Sequence, residues 1–101
     1  MIMDIKIQAV HFTADAKLID FITGKVEKLN QYYDHIVSCE IFLLIDKAST
    51  VNNKIGEIKL HIPGAEFFAK KQSNSFEESI DTAVEAIRKQ LTKRKEKLSE
   101  V

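Results

Sequence analysis

The hydrophobic pattern of this chain changes period along its length, and that change limits the folds open to it. Apolar residues recur every second position, then at helical spacing, then every second position again, and finally at helical spacing to the end. A period of two marks a half-buried strand, and a period near 3.6 marks an amphipathic helix. Over Asp4 to Val10, Ile5, Ile7 and Ala9 face one way while Lys6 and Gln8 face the other. From about Asp15 to Tyr33, the residues Leu18, Ile22, Val26, Leu29 and Tyr33 predict a helix, capped by Thr13 or Asp15. Gly24 inside that helix costs ~1 kcal/mol relative to alanine, so close packing is expected there. Ile36 to Ile45 reads as a second strand. Val37, Cys39, Ile41, Leu43 and Ile45 lie on one of its faces, and Phe42 and Leu44 make the other apolar as well. The polar stretch Asp46 to Lys54 is a hairpin loop, Ile55 to Ile62 a third strand, Pro63-Gly64 a tight turn and Ala65 to Lys70 a short fourth strand. Ser73, Asn74 or Ser75 then caps a last helix reaching about Lys97, and Ser75 with Glu78 fits a capping box. Phe76, Ile80, Ala83, Ile87 and Leu91 form its apolar stripe, with Val84 beside them.

The order β-α-β-β-β-α predicts an α+β fold with a four-stranded sheet and both helices packed on one face. The three later strands most simply form an antiparallel meander, and the first helix is the crossover that brings the first strand to a parallel neighbour. With 101 residues, 45% of them hydrophobic, the chain is long enough for one core. The expectation is a single domain over residues 1–101, with Met3 as good a start as Met1.

The residues that carry catalysis elsewhere are scattered here. His11, His35 and His61 have no partners at metal-ligand spacing. Cys39 alternates with core residues and reads as a buried thiol. The three glycines make no phosphate loop, and no motif pairs a nucleophile with a base. The chain therefore reads as a binding protein, not an enzyme, with no metal, cofactor or small-molecule substrate. No apolar run approaches the ~20 residues that span a bilayer, and the N-terminus lacks a signal-peptide pattern. No membrane partner is expected, and a cytoplasmic location follows by elimination.

The last helix is polarised. Its first half holds Glu77, Glu78, Asp81 and Glu85 with no basic residue, whereas residues 88–97 hold Arg88, Lys89, Lys93, Arg94, Lys95 and Lys97 against Glu96 alone. A helix macrodipole favours acids at the start and bases at the end, but it acts only within the terminal turns. Six bases over almost three turns exceed that requirement. Arg94 falls near the azimuth of the apolar stripe, so the helix is expected to project beyond the sheet there as a basic tip. Lys25 and Lys28 on the first helix lie on one flank and extend the tip into a groove if the two helices pack side by side. Such a cluster binds phosphates in a sequence-independent, salt-dependent way.

A family resemblance runs through the chain. Ile7-Gln8-Ala9-Val10-His11-Phe12, Leu18-Ile19-Asp20-Phe21-Ile22 and Lys25-Val26-Glu27-Lys28-Leu29 carry its first part, followed by Tyr32-Tyr33-Asp34 and Ile62-Pro63-Gly64. Phe76-Glu77-Glu78-Ser79-Ile80-Asp81, Ala86-Ile87-Arg88-Lys89-Gln90-Leu91 and Lys93-Arg94-Lys95 complete it. In this order and spacing the chain resembles the ribosome hibernation-promoting factor and ribosome-associated inhibitor A family, also called sigma-54 modulation proteins. The resemblance implies a fold like that of double-stranded-RNA-binding domains. It implies binding to the small ribosomal subunit in the decoding channel, occlusion of messenger and transfer RNA, and inhibition of translation in stress. Carried over by position, the ribosomal-RNA contacts fall on Lys25, Lys28, Arg88, Lys89, Lys93, Arg94 and Lys95. Long members carry a further C-terminal domain that dimerises ribosomes, and this chain is expected to lack it.

The net charge is zero, so the local cluster must supply most of any attraction to RNA. Two other readings stay open. One is a general double-stranded RNA binder, which the acidic start of the last helix disfavours. The other is a protein-interaction module that uses the second sheet face for self-association, where Phe42, Leu44, Ile55 and Phe68 are the exposed candidates.

Overall fold

A computed structural model describes residues 3–99, with side chains described through residue 94. Strand β1 (Asp4–Ala9) leads into helix α1 (Ala16–Glu27), which continues as a 3₁₀ turn over Lys28–Gln31. Strands β2 (Ser38–Ile45), β3 (Lys54–Ile62) and β4 (Ala65–Ser73) follow, and helix α2 (Phe76–Ser99) closes the order. The sheet runs β1-β2-β3-β4, with β1 parallel to β2 and the other pairs antiparallel. A parallel pair needs a crossover, and α1 supplies it. The expected α+β architecture is the one observed.

The inward row of each strand is the apolar one. Ile5, Ile7 and Ala9 pair with Cys39, Ile41 and Leu43, and Cys39 and Ile41 pair in turn with Leu60 and Ile58. These side chains join Ile22, Val26 and Leu29 from the first helical segment and Ile80, Ala83, Ile87 and Leu91 from α2 in one core. Phe12 stacks on Phe76, ring centroids 5.1 Å apart, and closes the core beside the start of α2.

Of the two candidate caps for α1, Asp15 is the one used: its Oδ1 accepts from the Leu18 N–H at 2.8 Å. The helix does not run to Tyr33. After Glu27 it tightens, and the N–H groups of Tyr32 and Tyr33 both donate to the Leu29 carbonyl, at 3.0 and 3.1 Å. This ending buries Leu29 while turning Gln31 and Asp34 outward, so the chain can deliver Ile36 to the core. Strand β2 accordingly starts at Ser38 rather than Ile36. The bend before it reverses the alternation, with Ile36 buried and Val37 exposed instead of facing inward. Strand β4 runs three residues beyond Lys70, because backbone pairing of Lys71, Gln72 and Ser73 with Gly56, Ile55 and Lys54 needs no apolar side chains.

Gly24 is not closely packed: a Cβ there would meet nothing within 4 Å. The close approach lies at Gly56, where a Cβ would stand 2.8 Å from Ile80 Cδ1 and 3.3 Å from Ser79 Cβ. Ser79 is fully buried. Its Oγ donates to the Lys54 carbonyl at 2.6 Å and lies 2.7 Å from Ser73 Oγ. A missing Cβ on β3 thus lets α2 dock, and a buried hydroxyl ties it to the ends of β3 and β4. The Ser75 cap is formed: its Oγ accepts from the Glu78 N–H at 3.1 Å.

Candidate nucleic-acid interface

Two contacts align α1 with α2. Lys25 Nζ lies 2.9 Å from Asp81 Oδ1, and the Arg88 guanidinium carbon lies 5.5 Å from the Tyr32 ring centroid. Each contact is seven residues further along its own segment than the last, so the helices lie side by side and run in the same direction. The side-by-side packing on which the expected groove depends is present, but the charge along it is not purely basic. Lys25 is paired with Asp81. Arg88 donates to Glu85 Oε1 through Nε at 3.0 Å and also through Nη2. That bond holds the Glu85 carboxyl below its usual range and raises the Arg88 guanidinium above its own.

Helix periodicity divides the remaining bases. Each residue turns the helix by about 100°, so Arg88 faces α1, Lys89 points to solvent, and Lys93 and Arg94 come round toward β4. There they line a shallow hollow of about 290 Å³ with Phe67 and Gln90, and the Gln90 amide donates to the Phe68 carbonyl at 3.2 Å. Arg94 was expected where the helix had passed the sheet. Instead the helix still overlies β4 there, and Arg94 Nε is buried with no hydrogen-bond partner. The Lys95 backbone belongs to α2, and its side chain lies outside the described residues. The proposed cluster is therefore two flanks, one against α1 and one against β4, with Lys89 on the ridge between them.

Among the described residues, Lys28, Lys89 and Lys93 are exposed and make no ion pair. Lys28 and Lys93 hold no carboxylate among the described residues and Lys89 feels Glu85 only at a distance, whereas Lys25 and Arg88 begin with a carboxylate already at hand. Asp81 opposite Lys25 has no signature in the sequence. The Glu85–Arg88 pair was legible as an i,i+3 spacing; the Lys25–Asp81 pair needs the helix register, which no local pattern carries. Tyr32 and Phe67, the aromatics beside Arg88 and Arg94, were likewise not singled out as site residues.

The other chemistry-bearing residues are dispersed. Among the described residues no three His, Cys, Asp or Glu side chains gather into a possible metal site. Cys39 is buried as expected, and burial, with Glu40 beside it, pushes its thiol up to about 12. Such a thiol is a poor nucleophile. On the outer sheet face Leu44 pairs with Ile55 and Phe42 with Glu57. These three apolar residues are half-buried, and of the four candidates only Phe68 is exposed. Among the described residues no helix is long and apolar enough to cross a membrane.

The comparisons with known proteins follow the same outline. The family model described as sigma 54 modulation protein / S30EA ribosomal protein matches residues 5–99. A ribosome hibernation promoting factor of Klebsiella oxytoca is 33% identical over 81 residues, which cover 80% of this chain and 81% of that protein. A ribosomal subunit interface protein from Coxiella burnetii shares the fold with a TM-score of 0.82 at 22% identity, over 92% of this chain and 98% of the other. The N-terminal domain of Thermus thermophilus Protein Y shares it with a TM-score of 0.78 at 20% identity, over 90% and 98%. With its family model spanning nearly the whole chain and its strand and helix order matched in solved structures, this protein belongs to the sigma 54 modulation protein / S30EA ribosomal protein family.

Proposed function

We propose that this protein is a ribosome hibernation factor that binds small-subunit ribosomal RNA in the decoding channel and inhibits translation by occluding messenger and transfer RNA. The observation that carries the reading is a pair of side-by-side helices with exposed lysines that make no ion pair among the described residues, in a family whose relatives are ribosome hibernation promoting factors. Lys28, Lys89 and Lys93 supply mobile point charges to phosphates. Arg88 and Arg94 offer planar guanidinium groups whose remaining N–H donors suit phosphate oxygens. Lys25 extends the flank against α1, and Lys95 joins the proposed contacts by its place in the sequence. Bound in this way, a 101-residue domain needs no chemistry of its own. It acts by volume, excluding other RNAs from the space it fills.

Co-sedimentation with ribosomes tests this. Binding is expected to weaken steeply as salt rises, since each phosphate contact releases about 0.9 of a counterion in a duplex-like setting. It is also expected to be competed by messenger RNA with transfer RNA. Equal binding to any RNA duplex, with no preference for ribosomes, would instead favour a general double-stranded RNA binder.

The acids of the groove give a second, opposite test. Asp81 and Glu85 stand beside Lys25 and Arg88, and each carboxylate repels an approaching phosphate by on the order of 0.7 kcal/mol in a high dielectric. The variant Asp81→Asn, which leaves Glu85, Arg88 and Tyr32 in place, is therefore expected to bind ribosomes about threefold more tightly, as 1.4 kcal/mol is one decade in affinity. Unchanged or weaker binding would mean that this groove does not face RNA.

A further inference from the structure

We propose that Tyr32, held by Arg88, is a stacking platform for an unpaired nucleobase; this rests on the ribosomal-RNA reading above. Tyr32 ends the 3₁₀ turn with 40% of its surface exposed. It is not a loose surface tyrosine. The Arg88 guanidinium lies over its ring, and Glu85 grips that guanidinium through two nitrogens. A ring fixed in this way loses little freedom when a base stacks on it, so more of the contact appears as affinity.

The surroundings suit a nucleotide better than an apolar peptide. Lys28, exposed and without an ion-pair partner among the described residues, is four residues before Tyr32 and within reach of a phosphate flanking the base. A polar hollow of about 160 Å³ adjoins the ring, lined by Asn30, Gln31, Tyr33 and Asp34. Asn30 Oδ1 is buried without a hydrogen-bond partner, and a small turn of that amide would offer it to a base amino group. Aromatic rings accept any base face, and unpaired bases in loops are what proteins most often read in folded RNA. Arg88 is then a positioning residue for Tyr32 as much as a phosphate ligand.

The test compares wild type with Tyr32→Leu, Tyr32→Phe and Tyr32→Trp in ribosome co-sedimentation at several salt concentrations, with folding checked by circular dichroism. Tyr32→Leu is expected to weaken binding roughly 5- to 150-fold, the usual range for one lost base stack. The slope of log affinity against log salt stays as in wild type, because no phosphate contact is removed. Tyr32→Phe and Tyr32→Trp keep a ring and are expected within about threefold of wild type. Three results overturn the platform alone: Tyr32→Leu binding as well as wild type, a changed salt slope in that variant, or an equal loss in Tyr32→Phe. Failure of the wild-type protein to co-sediment removes the ribosome reading itself, and the platform with it.

Discussion

Reversing Lys28, Lys89 and Lys93 to glutamate together is expected to reduce ribosome affinity by roughly a hundred- to a thousandfold at about 0.1 M salt. The size follows from counterion release. Three lost phosphate contacts remove about 2.7 from the salt slope, which is close to three decades at that ionic strength. The choice of residues follows from the structure. These three are exposed and make no ion pair among the described residues, so changing them breaks no described ion pair. Arg88 is the more obvious target from sequence, but replacing it also strips Glu85 of its partner and removes the cation over Tyr32. A loss seen there would mix binding with local rearrangement. The triple variant is expected to keep its circular dichroism spectrum and thermal midpoint close to wild type, since isolated surface charges change stability by a few tenths of a kcal/mol. A folded triple variant that still binds with wild-type affinity and salt slope would place the interface elsewhere on the domain.

Hydropathy period alone conveyed most of this fold. Cys39, Ile41 and Leu43 alternate, and Ile80, Ala83, Ile87 and Leu91 follow a helical stripe, so the layers that bury them were legible. What was not legible shares one physical origin: it depends on register between elements far apart in sequence. The end of α1 at Glu27 is set by where Ile36 must enter the core. The extension of β4 to Ser73 is set by backbone pairing with β3, to which side-chain polarity is blind. At the candidate site, Lys89 and Lys93 are exposed, as residues of the expected basic tip should be. The neutralisation of Lys25 by Asp81 and the packing of Arg94 over β4 required the helix positions themselves. A count of basic residues thus singles out α2 and overstates how many of its charges are available.

Gly56 is the position where fold and interface are joined, and Gly56→Val is expected to destabilise the domain by about 2 kcal/mol. Its backbone is ordinary strand, so the requirement is for space and not for a special conformation. A single added carbon already meets Ile80 Cδ1 at 2.8 Å and Ser79 Cβ at 3.3 Å. Ile80 and Ser79 are both fully buried and Ser79 is tied to Lys54 and Ser73, so neither can swing away without cost. Overpacking of this kind costs roughly 1–3 kcal/mol, and the better strand propensity of valine returns less than about 1 kcal/mol. Against a total stability of about 5–15 kcal/mol for a small domain, the urea midpoint is expected to fall by about 1–2 M. The cause is separable from a general intolerance of the site. Ile80→Val deletes the clashing methyl, so the double variant Gly56→Ala/Ile80→Val is expected to cost about 1 kcal/mol less than the sum of its parts. Additive costs would mean that the helix does not seat on the strand at this point. The same seating sets the height of α2 above the sheet, and with it the register that brings Asp81 to Lys25 and Arg88 to Tyr32. A folded Gly56→Val protein is therefore expected to lose ribosome affinity although no surface charge has changed, and unaltered affinity would show that the groove tolerates a displaced helix.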